Sequence, residues 1–219
     1  MEKFNGLWYP DGNQLTKNFK ARAEKEPFYR ADRFHDAMKH VRHWRGAVEC
    51  GAHVGEWSRE LAKRFERVVA IEMHSATAKC LQLNLADCAA TVVQCALGDS
   101  YECVSIKTDK GSIGTCVGRL GNDAYTKRLD DVLLDINDLN DPDNELPVDY
   151  LKVHVNGYEL RVLRGARQTI RRHRPVMTVV IKKALANYGT TPEEIFNFMD
   201  GVGYRVASCL KPYWMFVPR

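Results

Sequence analysis

An open α/β fold is what this sequence predicts: a mostly parallel sheet with helices on both faces, closed by an antiparallel hairpin. Three observations predict it. From Ala47 to Ala96 short apolar strands alternate with amphipathic helices, and the connections are short enough for parallel β-α-β units. The same rhythm returns from Tyr150 to Asp200. The chain then closes with two neighbouring strand-like runs, Tyr204–Cys209 and Tyr213–Val217, spaced as a hairpin.

The segment before this core is aromatic and turn-rich, with Trp8, Tyr9, Pro10, Asp11 and Gly12 close together. Ala31 to Trp44 reads as a helix, because Phe34, Met38 and Val41 recur at three- and four-residue spacing. The basic residues between them suit a solvated face better than a phosphate-binding one. Ala47–Cys50 is a first strand, and Gly51 to Gly55 a glycine-bounded turn. Glu56–Phe65 is a helix with Trp57, Leu61, Ala62 and Phe65 on one side. Val68–Ile71 is a second strand, running into Glu72. Ser75 is placed to cap a helix over Ala76–Ala86. Thr91–Ala96 is a third strand, stopped by Leu97-Gly98-Asp99. Residues 100–128 are punctuated by Gly111, Gly114, Gly118 and Gly121, and read as hairpin-like strands or a long irregular excursion. Leu129 to Pro147 is acidic and holds a short helix and a loop. Tyr150–Val155 is a fourth strand, Tyr158–Arg172 a helix with Leu160, Leu163 and Ile170 inward, and Val176–Ile181 a fifth strand. Thr191-Pro192-Glu193-Glu194 is a strong helix start, with an N-cap, a proline at the first helical position and acids in the first turn.

Bulk properties narrow the function. The 219 residues suit one domain, and an apolar fraction of 45% supports a substantial core. A net charge of +4 is too small to argue for nucleic acid, whose partners show a clustered basic face. No apolar run approaches the roughly 20 residues that cross a bilayer, and the N-terminus lacks the apolar stretch of a signal peptide. A cytoplasmic protein is expected. The seven cysteines, Cys50, Cys80, Cys88, Cys95, Cys103, Cys116 and Cys209, show no C-x-x-C spacing and read as reduced thiols, largely in the core. No set of histidines and acids has metal-ligand spacing, so no metal is expected.

In an open α/β sheet, ligands bind beyond the carboxyl ends of the strands, where strand order reverses. Here the first strand runs into ECGAHVGEW. Gly51 and Gly55 remove side chains where the backbone must turn against a ligand. A pyrophosphate-binding turn wants G-x-G-x-x-G, whereas this chain has E-x-G-x-x-x-G, with Glu49 where a phosphate would be repelled. An acid there suits a cofactor with a cationic amino-acid end, such as S-adenosyl-L-methionine. Glu72, followed by Met73, ends the second strand, and its carboxylate can accept two hydrogen bonds from a ribose diol. His53 is either a residue tolerated in an irregular turn or a cofactor contact. Gly98 and Asp99 follow the third strand, where Asp99 is either a turn residue or an adenine contact.

The stretch KVHVNGYE poses a separate question. Its apolar alternate positions read as a strand, yet Lys152 and His154 occupy the other face, before a turn at Asn156 and Gly157. With AVECGAHVGEWS, VVAIEM, ALGD, LDD, YLKVHVNGYELRVLRGA and the RP before the fifth strand, it resembles the FkbM family of S-adenosylmethionine-dependent methyltransferases. The resemblance covers about residues 30 to 217. The lysine strand running into G-Y-E-x-x-V-L-R-G-A is its most specific part, and the short N-terminal segment resembles that of phage-borne relatives.

That resemblance implies the seven-stranded, Rossmann-like class I methyltransferase sheet, and methyl transfer to a hydroxyl of a small molecule: a sugar, nucleoside or secondary metabolite. It implies a domain over residues 46–219 that binds S-adenosyl-L-methionine, with residues 1–45 as a substrate-side cap. Gly51 and Gly55 match the cofactor turn, Glu72 the ribose-binding acid, and Lys152, Gly157 and Glu159 the fourth-strand motif. Two departures stand out. The family usually has aspartate where this chain has His154 and glutamate where it has Asn156, and it tends to end the fifth strand on glutamate, where this chain has Lys182 and Lys183. His154 is then expected either as the base or orienting group that replaces the usual acid, its ordinary pKa near 6.5 being suitable, or as a hydrogen-bonded histidine packed at the strand end. Lys152 either places a substrate oxygen, pairs with Glu159, or neutralises Glu49 or Glu72. Asn156 and Tyr158 are expected to line the acceptor pocket. Asp130 and Asp131 are equally suited to capping and to ligand contact. Two other functions stay open: a catalytically impaired binding protein on the same fold, and a nucleic-acid methyltransferase. Against the second stands the lack of an N-P-P-Y-like tetrapeptide after the fourth strand.

Overall fold

The structure, a computed structural model, describes residues 1–11, 26–109, 112–118, 124–137 and 145–219, with only the backbone for 106–109 and 112–118. Gly12, Gly111, Gly121 and the acids Asp138, Asp141 and Asp143 lie outside the described residues, and so does the Cys116 side chain.

A short hairpin opens the chain, β1 (Glu2–Phe4) against β2 (Leu7–Tyr9). Helix α1 (Ala31–Met38) leads to β3 (Gly46–Cys50), α2 (Glu56–Ala62), β4 (Arg67–Ile71), α3 (Ser75–Asn84) and β5 (Ala90–Val93). Next come β6 (Ala96–Leu97), the hairpin β7 (Cys103–Asp109) and β8 (Ser112–Gly118), β9 (Ala124–Lys127) and α4 (Leu129–Ile136). The chain ends with β10 (Tyr150–Val153), α5 (Glu159–Gly165), α6 (Arg167–His173), β11 (Val176–Val180), a 3-10 helix (Lys183–Tyr188), α7 (Pro192–Gly201), β12 (Tyr204–Leu210) and β13 (Tyr213–Pro218).

Seven strands form one sheet in the order β12-β13-β11-β10-β3-β4-β5. The five central and leading strands pair in parallel, and β13 runs antiparallel to both β11 and β12. From β3 the chain builds outward to β4 and β5, then returns to place β10 on the other side. Strand order therefore reverses between β3 and β10, which is where such sheets open a crevice.

Strand alternation sorts the two cores. Val48, Cys50, Leu151 and Val153 face α4, α5, α6 and α7, with Leu133, Leu163, Ile170 and Ile195 closing that layer. Ala47, Tyr150, Val176 and Met215 face the other way, onto Phe34, Trp57, Leu61 and Phe65 from α1, α2 and the turn after α2. Glu49 and Lys152 share this second face and are register partners across β3 and β10. The α1 helix thus packs on the sheet itself. The opening hairpin is fastened by Asn84 of α3: Trp8 N–H donates to its Oδ1 (2.7 Å), and its Nδ2 donates to the carbonyls of Trp8 (2.9 Å) and Val54 (2.8 Å).

Several boundaries differ from the sequence expectation, each for a local reason. The first helix stops at Met38, not Trp44. The carbonyls of Trp44 and Arg45 already accept from Glu66 and Arg67 N–H, both at 2.9 Å, so the chain has turned into the sheet. His74, not Ser75, caps α3, its extended backbone letting the imidazole accept from Thr77 N–H. The expected third strand divides: it leaves the main sheet at Val93, and Ala96–Leu97 pairs with β9 instead. The helix expected over Tyr158–Arg172 breaks at Ala166, which has φ −105°. Asp130 accepts from Gln168 N–H (3.0 Å), Thr169 N–H (2.9 Å) and Thr169 Oγ1 (2.7 Å), so it caps α6, a helix distant in sequence. Asp131 pairs with Arg128 at 2.8 Å. Of the two readings of residues 100–128, hairpin-like strands or an irregular excursion, the described backbone shows a hairpin, β7 against β8. The expected start of α7 is present as a full capping box between Thr191 and Glu194.

Candidate active site

Three parallel strands, β4, β3 and β10, end side by side. Beyond their carboxyl ends lies a cavity of about 320 Å³. Its walls come from the two turns that follow β3 and β10, the ends of β4 and β11, and Tyr29.

The turn after β3 begins at Gly51, with φ 80°. A Cβ there would lie 2.0 Å from the His154 carbonyl oxygen, so glycine is what lets the two turns touch. His53 also has a left-handed backbone, φ 54°, and Gly55, φ 91°, begins α2. Glu72 stands just past β4 and is buried. Its Oε2 accepts from His53 N–H and its Oε1 from His74 N–H, both at 2.9 Å. Burial raises its carboxyl pKa against the opposing pull of these amides. Burial also lowers the His53 imidazole to about 4.

The turn after β10 repeats the backbone plan. Asn156 has φ 53° and Gly157 φ 107°. A Cβ on Gly157 would lie 2.3 Å from the Ala184 carbonyl oxygen. The Glu159 carboxylate accepts from Val155 N–H (3.0 Å) and Gly157 N–H (2.8 Å). Burial pushes its pKa up to about 7.

Beneath the turns, Lys152 and Glu49 form a buried ion pair. Ser58 Oγ donates to Glu49 at 2.5 Å, and the Lys152 ammonium sits 4.4 Å from the centroid of the Trp57 ring. Closer to the opening, Lys182 Nζ lies 2.7 Å from His154 Nε2. An ammonium is a donor only, so Nε2 accepts and the imidazole proton sits on Nδ1. Burial, then the charges of Lys182 and Lys152, holds the His154 pKa well below its ordinary value. The two departures from the family pattern are therefore in direct contact.

Of the residues singled out from sequence, Glu49, Gly51, His53, Glu72, Met73, Lys152, His154, Asn156 and Tyr158 border one cavity. Four do not. Gly55 abuts Leu81 and supports the turn from behind. Gly98 packs against Thr126 and the backbone of Gly165. Asp99 is held by Arg161 at 3.1 Å, and the cavity wall there is Cys95–Leu97, because the chain crosses to the second sheet at that point. Glu159 points into its own turn, and Lys152 pairs with Glu49, not with it. Sequence reading missed Tyr29, Glu56, Trp57 and Lys182 as lining residues. Glu56 and Trp57 open the helix after the glycine turn, and Lys182 follows the strand beside β10, so both positions carried a signal. Tyr29 carried none.

Among the described residues, no group of three or more histidines, cysteines and acids is placed to hold a metal ion, and no helix is long and apolar enough to cross a membrane. Cys50, Cys80, Cys88, Cys95, Cys103 and Cys209 are free thiols.

A seven-stranded sheet in this order, with its crevice at the reversal point, defines a class I methyltransferase fold. The model of the methyltransferase FkbM domain matches residues 49–206, and the chain belongs to that family of S-adenosyl-L-methionine-dependent methyltransferases. A solved FkbM methyltransferase from Methylobacillus flagellatus KT shares the fold: 22% identity, TM-score 0.52, covering 79% of this chain and 43% of that one. This chain thus spans less than half of that protein's length. Precorrin-6y C5,15-methyltransferase from Geobacter metallireducens GS-15 matches at 11% identity and TM-score 0.49, covering 88% and 90% of the two chains. Aeropyrum pernix fibrillarin, solved with S-adenosyl-L-methionine, matches at 13% identity and TM-score 0.47, covering 81% and 67%. No curated protein matches the chain.

Proposed function

We propose that this methyltransferase acts on a hydroxyl oxygen of a small molecule, with the His154–Lys182 pair as its proton-handling group. The observation that carries the reading is that pair, 2.7 Å apart, in the same cavity as the buried strand-end acid Glu72.

The residues present fit the cofactor. Each Glu72 oxygen accepts one backbone amide and keeps a further lone pair for a ribose hydroxyl. The Gly51 turn brings backbone to the same wall without a side chain in the way. Met73 and Cys95–Leu97 offer an apolar wall for a base. Glu49, already neutralised by Lys152, is a weaker attraction for a cationic amino-acid end than an open carboxylate would be. When bound, S-adenosylmethionine supplies an electrophilic methyl carbon on a sulfonium.

An attacking hydroxyl must lose its proton during transfer, so a neutral acceptor of protons close to it lowers the barrier. His154 stays neutral because burial and the neighbouring cations disfavour its charged form. It becomes a base at Nε2 once Lys182 releases that atom. Lys152 orders β3 and β10 beneath the site and is held too firmly to move with substrate. Asn156 and Tyr158, on the same side as His154, border the space for the acceptor, and residues 1–45 contribute Tyr29 to it.

One observation favours the second reading, an impaired binding protein: the lone pair needed for catalysis is occupied by an ammonium. Calorimetry with S-adenosylmethionine and S-adenosylhomocysteine, followed by a methyl-transfer screen over sugars and nucleosides, separates the readings. Cofactor binding with turnover that collapses in His154→Ala is expected. Binding without turnover on any acceptor favours the impaired protein, and undiminished turnover in His154→Ala removes His154 from the mechanism.

A further inference from the structure

The cavity's charged groups are unequally matched. Glu49 is met by Lys152 and Ser58. Glu56 accepts from Tyr9 OH at 3.1 Å and from Tyr29 N–H at 2.6 Å. Glu72 accepts from two backbone amides. Each acid is satisfied from within the protein. Lys182 is different: its ammonium donates to a neutral imidazole, and no carboxylate forms an ion pair with it among the described residues. A cation taken out of bulk water is stable chiefly when an opposite charge accompanies it.

Arg30 does not line the cavity, but its charge acts on His154 and Lys182 there. Its guanidinium carbon is 5.6 Å from the centroid of the Tyr29 ring, and its Nε is buried with no hydrogen-bond partner among the described residues. The positive field has visible effects. Burial alone would raise the Tyr29 phenol, yet the hydrogen bond with Tyr213, the charge of Lys182, and the hydrogen bond and charge of Arg30 bring it below its ordinary value. Burial lowers the Lys182 ammonium, against the opposing pull of Tyr29 and Glu159, while Lys152 and Arg30 add to the lowering.

We infer that the methyl acceptor carries an oxyanion, a phosphate or a carboxylate, which Lys182 holds. This rests on the methyltransferase reading above and names the class of its acceptor. A neutral sugar offers Lys182 no more than the imidazole already does. An oxyanion offers a hydrogen bond in which donor and acceptor are both charged, which a neutral imidazole cannot. It draws the ammonium off His154 Nε2, and the freed lone pair then takes the acceptor's hydroxyl proton. Anion recognition and release of the base have one cause, so a neutral acceptor is rejected both in binding and in chemistry.

The test follows the 15N resonances of the His154 ring in the full chain, saturated with S-adenosylhomocysteine, at fixed ionic strength. Inorganic phosphate, acetate and glycerol are titrated separately. Phosphate or acetate is expected to shift Nε2 saturably, and glycerol to leave it unmoved; the tighter of the two anions identifies the acceptor's group. Lys182→Gln should weaken that binding at least tenfold, and Lys182→Arg should retain most of it. No saturable shift with either anion, or equal binding in Lys182→Gln, overturns the inference. Calorimetry with S-adenosylhomocysteine runs alongside. Failure of that binding removes the methyltransferase reading and this inference with it, whereas intact cofactor binding without an anion response removes the inference alone.

Discussion

The turns after β3 and β10 follow the same backbone plan and use their acids oppositely. Each places a non-glycine residue in the left-handed region, His53 or Asn156, two or one residues before a left-handed glycine and the start of a helix. Each has a carboxylate that accepts from its backbone, one N–H in the first turn and two in the second. In the first turn the acid, Glu72, comes from the neighbouring strand, faces the cavity and retains lone pairs. In the second, Glu159 comes from the turn's own helix and is spent on Val155 and Gly157. An acid borrowed from a neighbour can serve a ligand. An acid supplied by the turn itself serves the turn.

The largest break in this comparison lies beneath both turns. Lys152→Met leaves the Glu49 charge buried with only the Ser58 hydroxyl and no counter-charge, and a loss of about 3–5 kcal/mol in denaturant-measured stability is expected. Next in size is Glu159→Ala, which orphans two N–H groups. Each unsatisfied buried donor costs roughly 1–3 kcal/mol, so stability should fall by that order while the cofactor affinity of the folded fraction changes little. Glu72→Ala also orphans two N–H groups, so a stability loss of the same order is expected, but it should in addition weaken cofactor affinity about tenfold or more by calorimetry. Equal profiles for these two variants would erase the distinction drawn here.

Acidity provides a finer test. His53 titrates near 4 in the folded chain against an ordinary 6.5, so the unfolded chain binds more protons between those values. Its contribution to stability is present above pH 6.5 and is lost as pH falls toward 4. Glu159 titrates near 7 against an ordinary 4.5, so the folded chain binds more protons between those values. Its contribution is present below pH 4.5 and is lost as pH rises through 7. Each slope is at most about 1.4 kcal/mol per pH unit. Stability curves of His53→Gln and Glu159→Gln, each subtracted from the parent, should therefore tilt in opposite directions. The smallest effect is expected of Gly55→Ala. The substitution strains a φ of 91° and presses only on the flexible end of Leu81, so a thermal-melt loss of about 1–2 kcal/mol is expected.

What could be read from sequence was local or periodic. The capping box at Thr191 and Glu194 spans three residues and was visible as such. The strand and helix rhythm located all seven strands of the main sheet; in β3, β10 and β11 burial on both faces leaves mostly apolar runs, whereas the half-exposed β5 and β12 were read from their place in the rhythm and in the closing hairpin. Contacts that depend on strand order were not visible. Lys182 meets His154 only because β11 lies beside β10, and Lys152 meets Glu49 only through the register of β10 on β3. Asp130 looked like the start of its own helix and instead caps α6. Asp99 was assigned by analogy with the strand end, and the early departure of the chain to β6 moved it away from the cavity.

Asn84 gives the opening hairpin a wider significance. One side-chain amide, with an exposure of 2%, holds both backbone groups of Trp8 and the carbonyl of Val54 inside the glycine turn. The opening hairpin and the turn after β3 are thus fastened by the same amide. A purification tag or fusion partner that pulls the hairpin away would leave that amide facing a gap next to the turn. Disturbance of the hairpin is therefore felt at the turn after β3, far along the chain from where it starts.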